Sequence, residues 1–174
     1  MKTSDTRVLP LSRLTLPVVP WPSYRDISLE NVMMGKGGVC KLIDLGMSSR
    51  LSADGIGPPA FFSYLTAYGK PSYVSPEAAF QEPVDPFAAD VWSLGILLYM
   101  LLTGSPLYDT PWDTAFVLLR LGRLDEVLAS YQSFGVKSLS PLARDLIGAM
   151  LHPDPRLRLT LDQVRDHPWM GAGA

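Results

Sequence analysis

The chain has 174 residues, 47% of them hydrophobic and 18% charged, a balance that fits one compact domain and excludes a wholly disordered one. Net charge is −2 with no block of like charges, so the electrostatic footprint of a nucleic-acid binder is absent. One cysteine, Cys40, and two histidines supply neither an intrachain disulfide nor a four-ligand zinc site, which fits the reducing interior of a cell and a cytoplasmic location.

Residues 1–22 carry Pro10, Pro17, Pro20 and Pro22, each of which fixes its own φ and pushes its predecessor toward extended backbone. They form an irregular leader in which no long helix fits. Lys2, Arg7 and Arg13 lie there among Ser and Thr with Asp5 as the only acid, a weak transit-peptide character. From Arg25 the pattern changes. Asn31 to Met34 and Val39 to Ile43 are short apolar runs separated by Gly35-Lys36-Gly37-Gly38, which predicts a two-stranded antiparallel hairpin. Met47 to Tyr73 has little periodicity and is longer than an ordinary connection, as functional loops are.

Beyond it the sequence turns helical. Asp90 can cap a helix running through Thr103, apolar on nearly every face and ended by Gly104 and Pro106. Its most apolar stretch, Trp92 to Leu102, is shorter than the roughly 20 residues of a membrane span, so it is expected at the centre of a core. Asp113 to Leu121 has the spacing of an amphipathic helix, Ser140-Pro141 opens another through Leu151, and Thr160-Leu161-Asp162 starts a last one ending before Pro168.

The loop Tyr24-Arg25-Asp26-Ile27-Ser28-Leu29-Glu30-Asn31 resembles the catalytic loop of protein kinases, H-R-D-L-x-x-x-N, with the Asp-to-Asn interval kept. Asp44-Leu45-Gly46 is similar to the D-F-G element, and Tyr73-Val74-Ser75-Pro76-Glu77 to the A-P-E region. Asp90-Val91-Trp92-Ser93-Leu94-Gly95, Asp154 to Thr160 and His167-Pro168-Trp169 match later elements of the family in order. On these motifs residues 23–170 are identified as the C-terminal lobe of a protein kinase nearer the serine/threonine than the tyrosine type. The catalytic loop is then 24–31, the activation segment 44–77 and the helical subdomain 88–170. The fold class implied is mainly α, a helical bundle with a small β-hairpin at the catalytic loop and no N-lobe.

The resemblance implies transfer of the γ-phosphoryl group of ATP to protein hydroxyls, with ATP and Mg as cofactors and a protein as substrate or partner, and with neither nucleic acid nor membrane. Asp26 would orient the attacking hydroxyl, Asn31 and Asp44 would hold magnesium, and Met33, with its neighbours Val32 and Met34, would lie where the family floors the adenine; a plain core role is the alternative for these three. Serine/threonine members place a lysine two residues after the catalytic aspartate and a threonine seven before the Pro-Glu glutamate. Here those positions are Ser28 and Lys70, an exchange that implies Lys70 points back at Asp26. Arg25 would order the long loop through a phosphorylated Thr66 or Ser63. Glu30 stands where basic peptide side chains are met, but its expected acidic companion is Met100. Glu77 and Arg158 would form a buried ion pair, and Asp90 would accept backbone N–H groups of Tyr24 and Arg25. Tyr24 and Leu45 would sit partly exposed.

The upper lobe of the family supplies a glycine-rich loop and a strand lysine for the phosphates. Only 23 residues precede Tyr24 and no GxGxxG occurs. The expectation is a truncated form, inactive alone, with the alternatives of a pseudokinase-like binding module or an incomplete gene model. A helix as apolar as 91–102 would then leave surface that a partner covers.

Overall fold

The computed structural model describes residues 23–48 and 70–171. The leader 1–22, most of the activation segment, and Ser63 and Thr66 within it lie outside the described residues. In chain order the first part holds a 3-10 turn at Leu29–Asn31, strand β1 (Val32–Met34), a turn at Lys36–Gly38 and strand β2 (Cys40–Leu42). The second holds a 3-10 turn at Pro71–Tyr73 and helices α1 (Pro76–Ala79), α2 (Pro86–Thr103), α3 (Thr114–Arg120), α4 (Leu124–Ser133), α5 (Pro141–Met150), α6 (Leu161–Arg165) and α7 (Pro168–Gly171).

The strands pair antiparallel with Val32 opposite Leu42, Met33 opposite Lys41 and Met34 opposite Cys40. Asn31 belongs to the turn before β1 rather than to the strand. Only Val32 and Leu42 pack toward the core, while Met33 and Met34 are 56% and 67% exposed. A core role for these two methionines is thereby corrected: both side chains stay largely in solvent, and of β1 only Val32 packs against the core.

Helix α2 begins earlier than expected. Its N-cap is Asp85, whose carboxylate accepts from the backbone N–H of Phe87 and Ala88, and Pro86 occupies the first helical position, where no N–H is needed. Asp90 therefore lies inside the helix and is free to do other work. The helix ends at Gly104, whose φ of 75° is the left-handed cap that residues with a Cβ resist.

Among the described residues α2 is the one helix long and apolar enough to cross a membrane by length and composition. Half of it is buried inside the chain, and its apolar faces meet Phe116 and Leu119 of α3, Val127 and Leu128 of α4, and Leu146, Ile147 and Met150 of α5 in one core. Its apolarity is thus used by the fold. The helix expected over 113–121 runs from Thr114 to Arg120, and that expected over 140–151 from Pro141 to Met150 with Ser140 accepting from Ala143 N–H. Thr160 and Gln163 close a reciprocal capping box at the start of α6. Three helices, the short α1 and α7 and the longer α4, come in addition to those expected.

Gly95 sets how closely α2 and α5 approach. A Cβ there would lie 2.8 Å from Leu151 Cδ2 and 3.1 Å from Met150 Cβ, closer than packed carbons tolerate. Gly95→Ala gains helix propensity of up to about 1 kcal/mol but forces the two helices apart at a cost of roughly 1–3 kcal/mol. Net destabilisation is the expected outcome of urea unfolding; a more stable variant would show that the helices are not packed as described.

Candidate functional site

The turn carrying Asp26 is held on the buried face of α2. Both oxygens of the Asp90 carboxylate accept from it, Oδ2 from Tyr24 N–H at 2.6 Å and Oδ1 from Arg25 N–H at 2.8 Å. Tyr24, Ile27 and Ser28 are buried and anchor the turn in the core, while Asp26 remains partly accessible. Tyr24 is 3% exposed rather than partly exposed as expected, because its ring packs into the core cluster below the turn; Leu45, at 62%, is exposed.

Arg25 adopts φ 67° and Asp44 φ 64°, two non-glycine residues in the left-handed region on either side of the hairpin. Such conformations cost energy and persist only where surroundings enforce them, a pattern that clusters at functional sites. The bond from Arg25 N–H to Asp90 enforces the first. At the second, Asp44 Oδ1 accepts from Gly46 N–H at 3.1 Å.

The hairpin register brings Asn31 beside Asp44. Ile43 N–H donates to Asn31 O at 2.9 Å, one step before the Val32–Leu42 pair, so the two polar side chains leave adjacent strand ends. Asn31 spends its amide hydrogens on Asp26, donating to the backbone O and to Oδ2, both at 2.8 Å. Its own Oδ1 has no donor on it among the described residues. The structure thus joins Asp26 and Asn31 directly and places Asp44 one residue beyond the strand partner of Asn31. The donor set, one amide oxygen and one carboxylate, suits a hard divalent cation that keeps its remaining positions for water or phosphate, as magnesium does. Among the described residues no group of three or more His, Cys, Asp or Glu converges on a metal position. Met33, on exposed β1, faces away from the core and stands apart from these polar contacts.

Lys70 corrects the expectation made for it. Its ammonium donates to Ser28 Oγ at 2.9 Å and pairs with Glu30 Oε2 at 2.8 Å, whereas the bonds to the Asp26 carboxylate come from Asn31. The lysine stem reaches the far side of the turn, where Ser28 is buried and Glu30 extends outward. Lys70 holds the Glu30 carboxyl below its ordinary range through their hydrogen bond. Glu30 is therefore occupied by a lysine of its own chain.

The segment after Lys70 is tied down at successive residues. Leu29 N–H donates to Tyr73 Oη at 3.2 Å, Ser93 Oγ donates to Tyr73 O at 2.9 Å, and Tyr108 Oη donates to Val74 O at 2.8 Å. Glu77 and Arg158 then form the expected ion pair, bidentate at 2.7 and 2.8 Å, with side chains 3% and 0% exposed. Arg158 also donates to the carbonyls of Ala88 and His152, and its guanidinium lies 5.1 Å from the Trp92 ring centre. That carbonyl and ring support is what sequence reading does not reveal. His167 reaches Asp145 at 3.2 Å and His152 bonds within its own turn at Asp154, so both histidines serve local structure.

Comparison with known proteins agrees with this geometry. The family model described as the protein kinase domain matches residues 23–170. The chain belongs to the protein kinase family. It is 37% identical over 147 residues to the serine/threonine-protein kinase PLK4 of Nematostella vectensis, covering 84% of this chain and 14% of that protein. It is 31% identical over 153 residues to CBL-interacting protein kinase 31 of Oryza sativa subsp. japonica, covering 86% of this chain and 31% of that protein. To maternal embryonic leucine zipper kinase of Danio rerio it is 34% identical, covering 87% and 20%. The chain thus spans less than a third of the length of these relatives.

Two outcomes follow for the kinase site. Glu77→Ala leaves the Arg158 charge buried without its partner and is expected to cost about 3–5 kcal/mol in chemical unfolding; a loss under 1 kcal/mol would show that solvent reaches the pair. Burial, opposed by the two amides and by the Arg25 charge, pushes the Asp90 carboxyl up to about 6, against about 3.9 for an ordinary aspartate. The raised value favours the protonated folded form. Its contribution to stability is therefore full below about pH 4 and is lost as pH rises through about 6. Compared with Asp90→Asn, the wild-type chain should lose relative stability over that window. A difference between the two that stays flat from pH 4 to 7 would contradict the burial described.

Proposed function

We propose that the chain is the C-terminal lobe of a protein serine/threonine kinase and carries the acceptor-positioning and metal-holding half of its phosphoryl-transfer site. The observation that carries this reading is the Asp26–Asn31–Asp44 arrangement. Asn31 bonds the Asp26 backbone and carboxylate through its nitrogen, and its backbone pairing with Ile43 places Asp44 one residue beyond that pair.

In this reading Asp26 accepts a hydrogen bond from the incoming protein hydroxyl and takes its proton as the bond to phosphorus forms. Asn31 fixes the Asp26 carboxylate through Oδ2, leaving Oδ1 of Asp26 for the acceptor. Asn31 and Asp44 would hold magnesium, and Mg-ATP, when bound, would supply the phosphoryl group, with ADP leaving as its bond to the γ-phosphorus breaks and the metal offsetting charge on the phosphate oxygens. Phosphoryl transfer depends mostly on positioning, which is what the tether to Asp90 provides. Met33 and Met34, exposed on the hairpin, suit an apolar ring or another protein surface. The protein acceptor and a cytoplasmic, intracellular setting belong to the same proposal.

A second reading, a non-catalytic binding module, is favoured by the exposed Met33, Met34, Ile43 and Leu45. One experiment separates them. In the intact protein purified from its host, Asp26→Asn is expected to lower kcat for Mg-ATP-dependent phosphate incorporation by about 10²-fold or more with KM little changed. Intact wild type that incorporates no phosphate would favour the binding module.

A further inference from the structure

Lys70 precedes the Pro71–Tyr73 turn and is far from the catalytic turn in sequence, yet its ammonium bridges two residues of that turn. Ser28 Oγ lies 2.9 Å and Glu30 Oε2 2.8 Å from Nζ. Three residues on, Tyr73 Oη accepts from Leu29 N–H. Residues 70–73 therefore grip 28, 29 and 30 in succession, after Asp26 in the chain, whereas the Asp90 bonds to Tyr24 and Arg25 come before it. Asp26 sits between the two grips, and Asn31, which orients it, follows directly after the second.

The chemistry of the second grip differs from the first. Ser28 is fully buried, Glu30 is largely exposed, and the lysine side chain is 37% accessible, so the ammonium spans the boundary between core and solvent. A charge-assisted bond to a buried hydroxyl and a carboxylate fixes two side chains at once. An apolar residue at position 70 could make neither bond. The grip comes from the segment that Glu77 and Arg158 secure, so it transmits the position of that segment to the catalytic turn.

We propose that Lys70 is a positioning residue of the phosphoryl-transfer site, locking the Asp26–Asn31 turn to the 70–77 segment through Ser28 and Glu30. This rests on the kinase reading above, in which Asp26 orients the acceptor. Lys70 acts on the reaction through the placement of Asp26 and Asn31. A misplacement of the turn by an ångström is enough to cost a large part of the rate. Guanidinium at position 70 can keep both bonds, whereas methionine of similar length keeps only the packing.

The test uses the intact protein with Mg-ATP and a protein acceptor, comparing wild type, Lys70→Met and Lys70→Arg. Lys70→Met is expected to lower kcat by about tenfold or more while KM for Mg-ATP moves by less than about threefold, and Lys70→Arg should recover most of the loss. A thermal melt of each variant confirms that it is folded. NMR titration of the Glu30 carboxyl supplies a readout independent of activity, since removal of the ammonium should raise its pKa. Unchanged kcat in Lys70→Met, or a loss that Lys70→Arg does not repair, overturns the positioning role. A Glu30 titration indifferent to Lys70→Met overturns the contact itself. Wild-type protein that transfers no phosphate overturns the kinase reading and this role with it, yet the titration would still register the contact, so the two failures are told apart.

Discussion

A single buried carboxylate ties the catalytic turn to the core. Asp90 lies within a helix whose apolar faces share one core with α3, α4 and α5, and both its oxygens are consumed by backbone N–H groups of Tyr24 and Arg25. Backbone bonds of this kind fix the path of the chain rather than the pose of one side chain. They hold Arg25 in a conformation that an L-residue otherwise avoids, and the direction of Asp26 follows from it. The cost is the burial of a charge, which two short amide bonds and the nearby arginine offset.

The ion pair of Glu77 and Arg158 plays the corresponding part for the segment on the other side of the site. Buried pairs of this type add little net stability over an apolar replacement, so their value here is geometric. Arg158 gathers a carboxylate, three carbonyls and the Trp92 face, and so welds the loop before α6 to α1 and α2 at one point. With Tyr73 and Val74 bonded to Ser93 and Tyr108, the segment from 70 to 77 is as firmly attached to the helical core as the catalytic turn.

Much of this was legible in the sequence because several features are local or chemically distinctive. Gly104, the Ser140-Pro141 and Thr160 starts and the glycine-rich hairpin turn depend on backbone rules that operate within a few residues. The ion pair and the Asp90 contacts came from the resemblance, since no spacing argument joins residues 66 or 81 positions apart. Other features escaped for physical reasons. Helix α4 has the apolar spacing of Leu124, Val127, Leu128 and Tyr131, but Arg123 at its N-cap makes no side-chain cap bond, so the start signal is missing. Asp90 looked like a cap because a better one, Asp85, lies before a proline outside the apolar run. The exchange of Ser28 and Lys70 implied a contact with Asp26, but the lysine that precedes the Pro71–Tyr73 turn meets Ser28 and Glu30 instead.

Attachment of the turn to α2 is the claim on which the placement of Asp26, Asn31 and Asp44 rests. Native-state hydrogen exchange at the Tyr24 amide tests it most directly, because that hydrogen is given to Asp90 alone among the described acceptors. If the turn is anchored as described, the Tyr24 amide exchanges only with global unfolding, at the same free energy as the central amides of α2. Exchange of Tyr24 through local opening, while α2 remains protected, would show that the turn moves independently of the helix and would contradict the account.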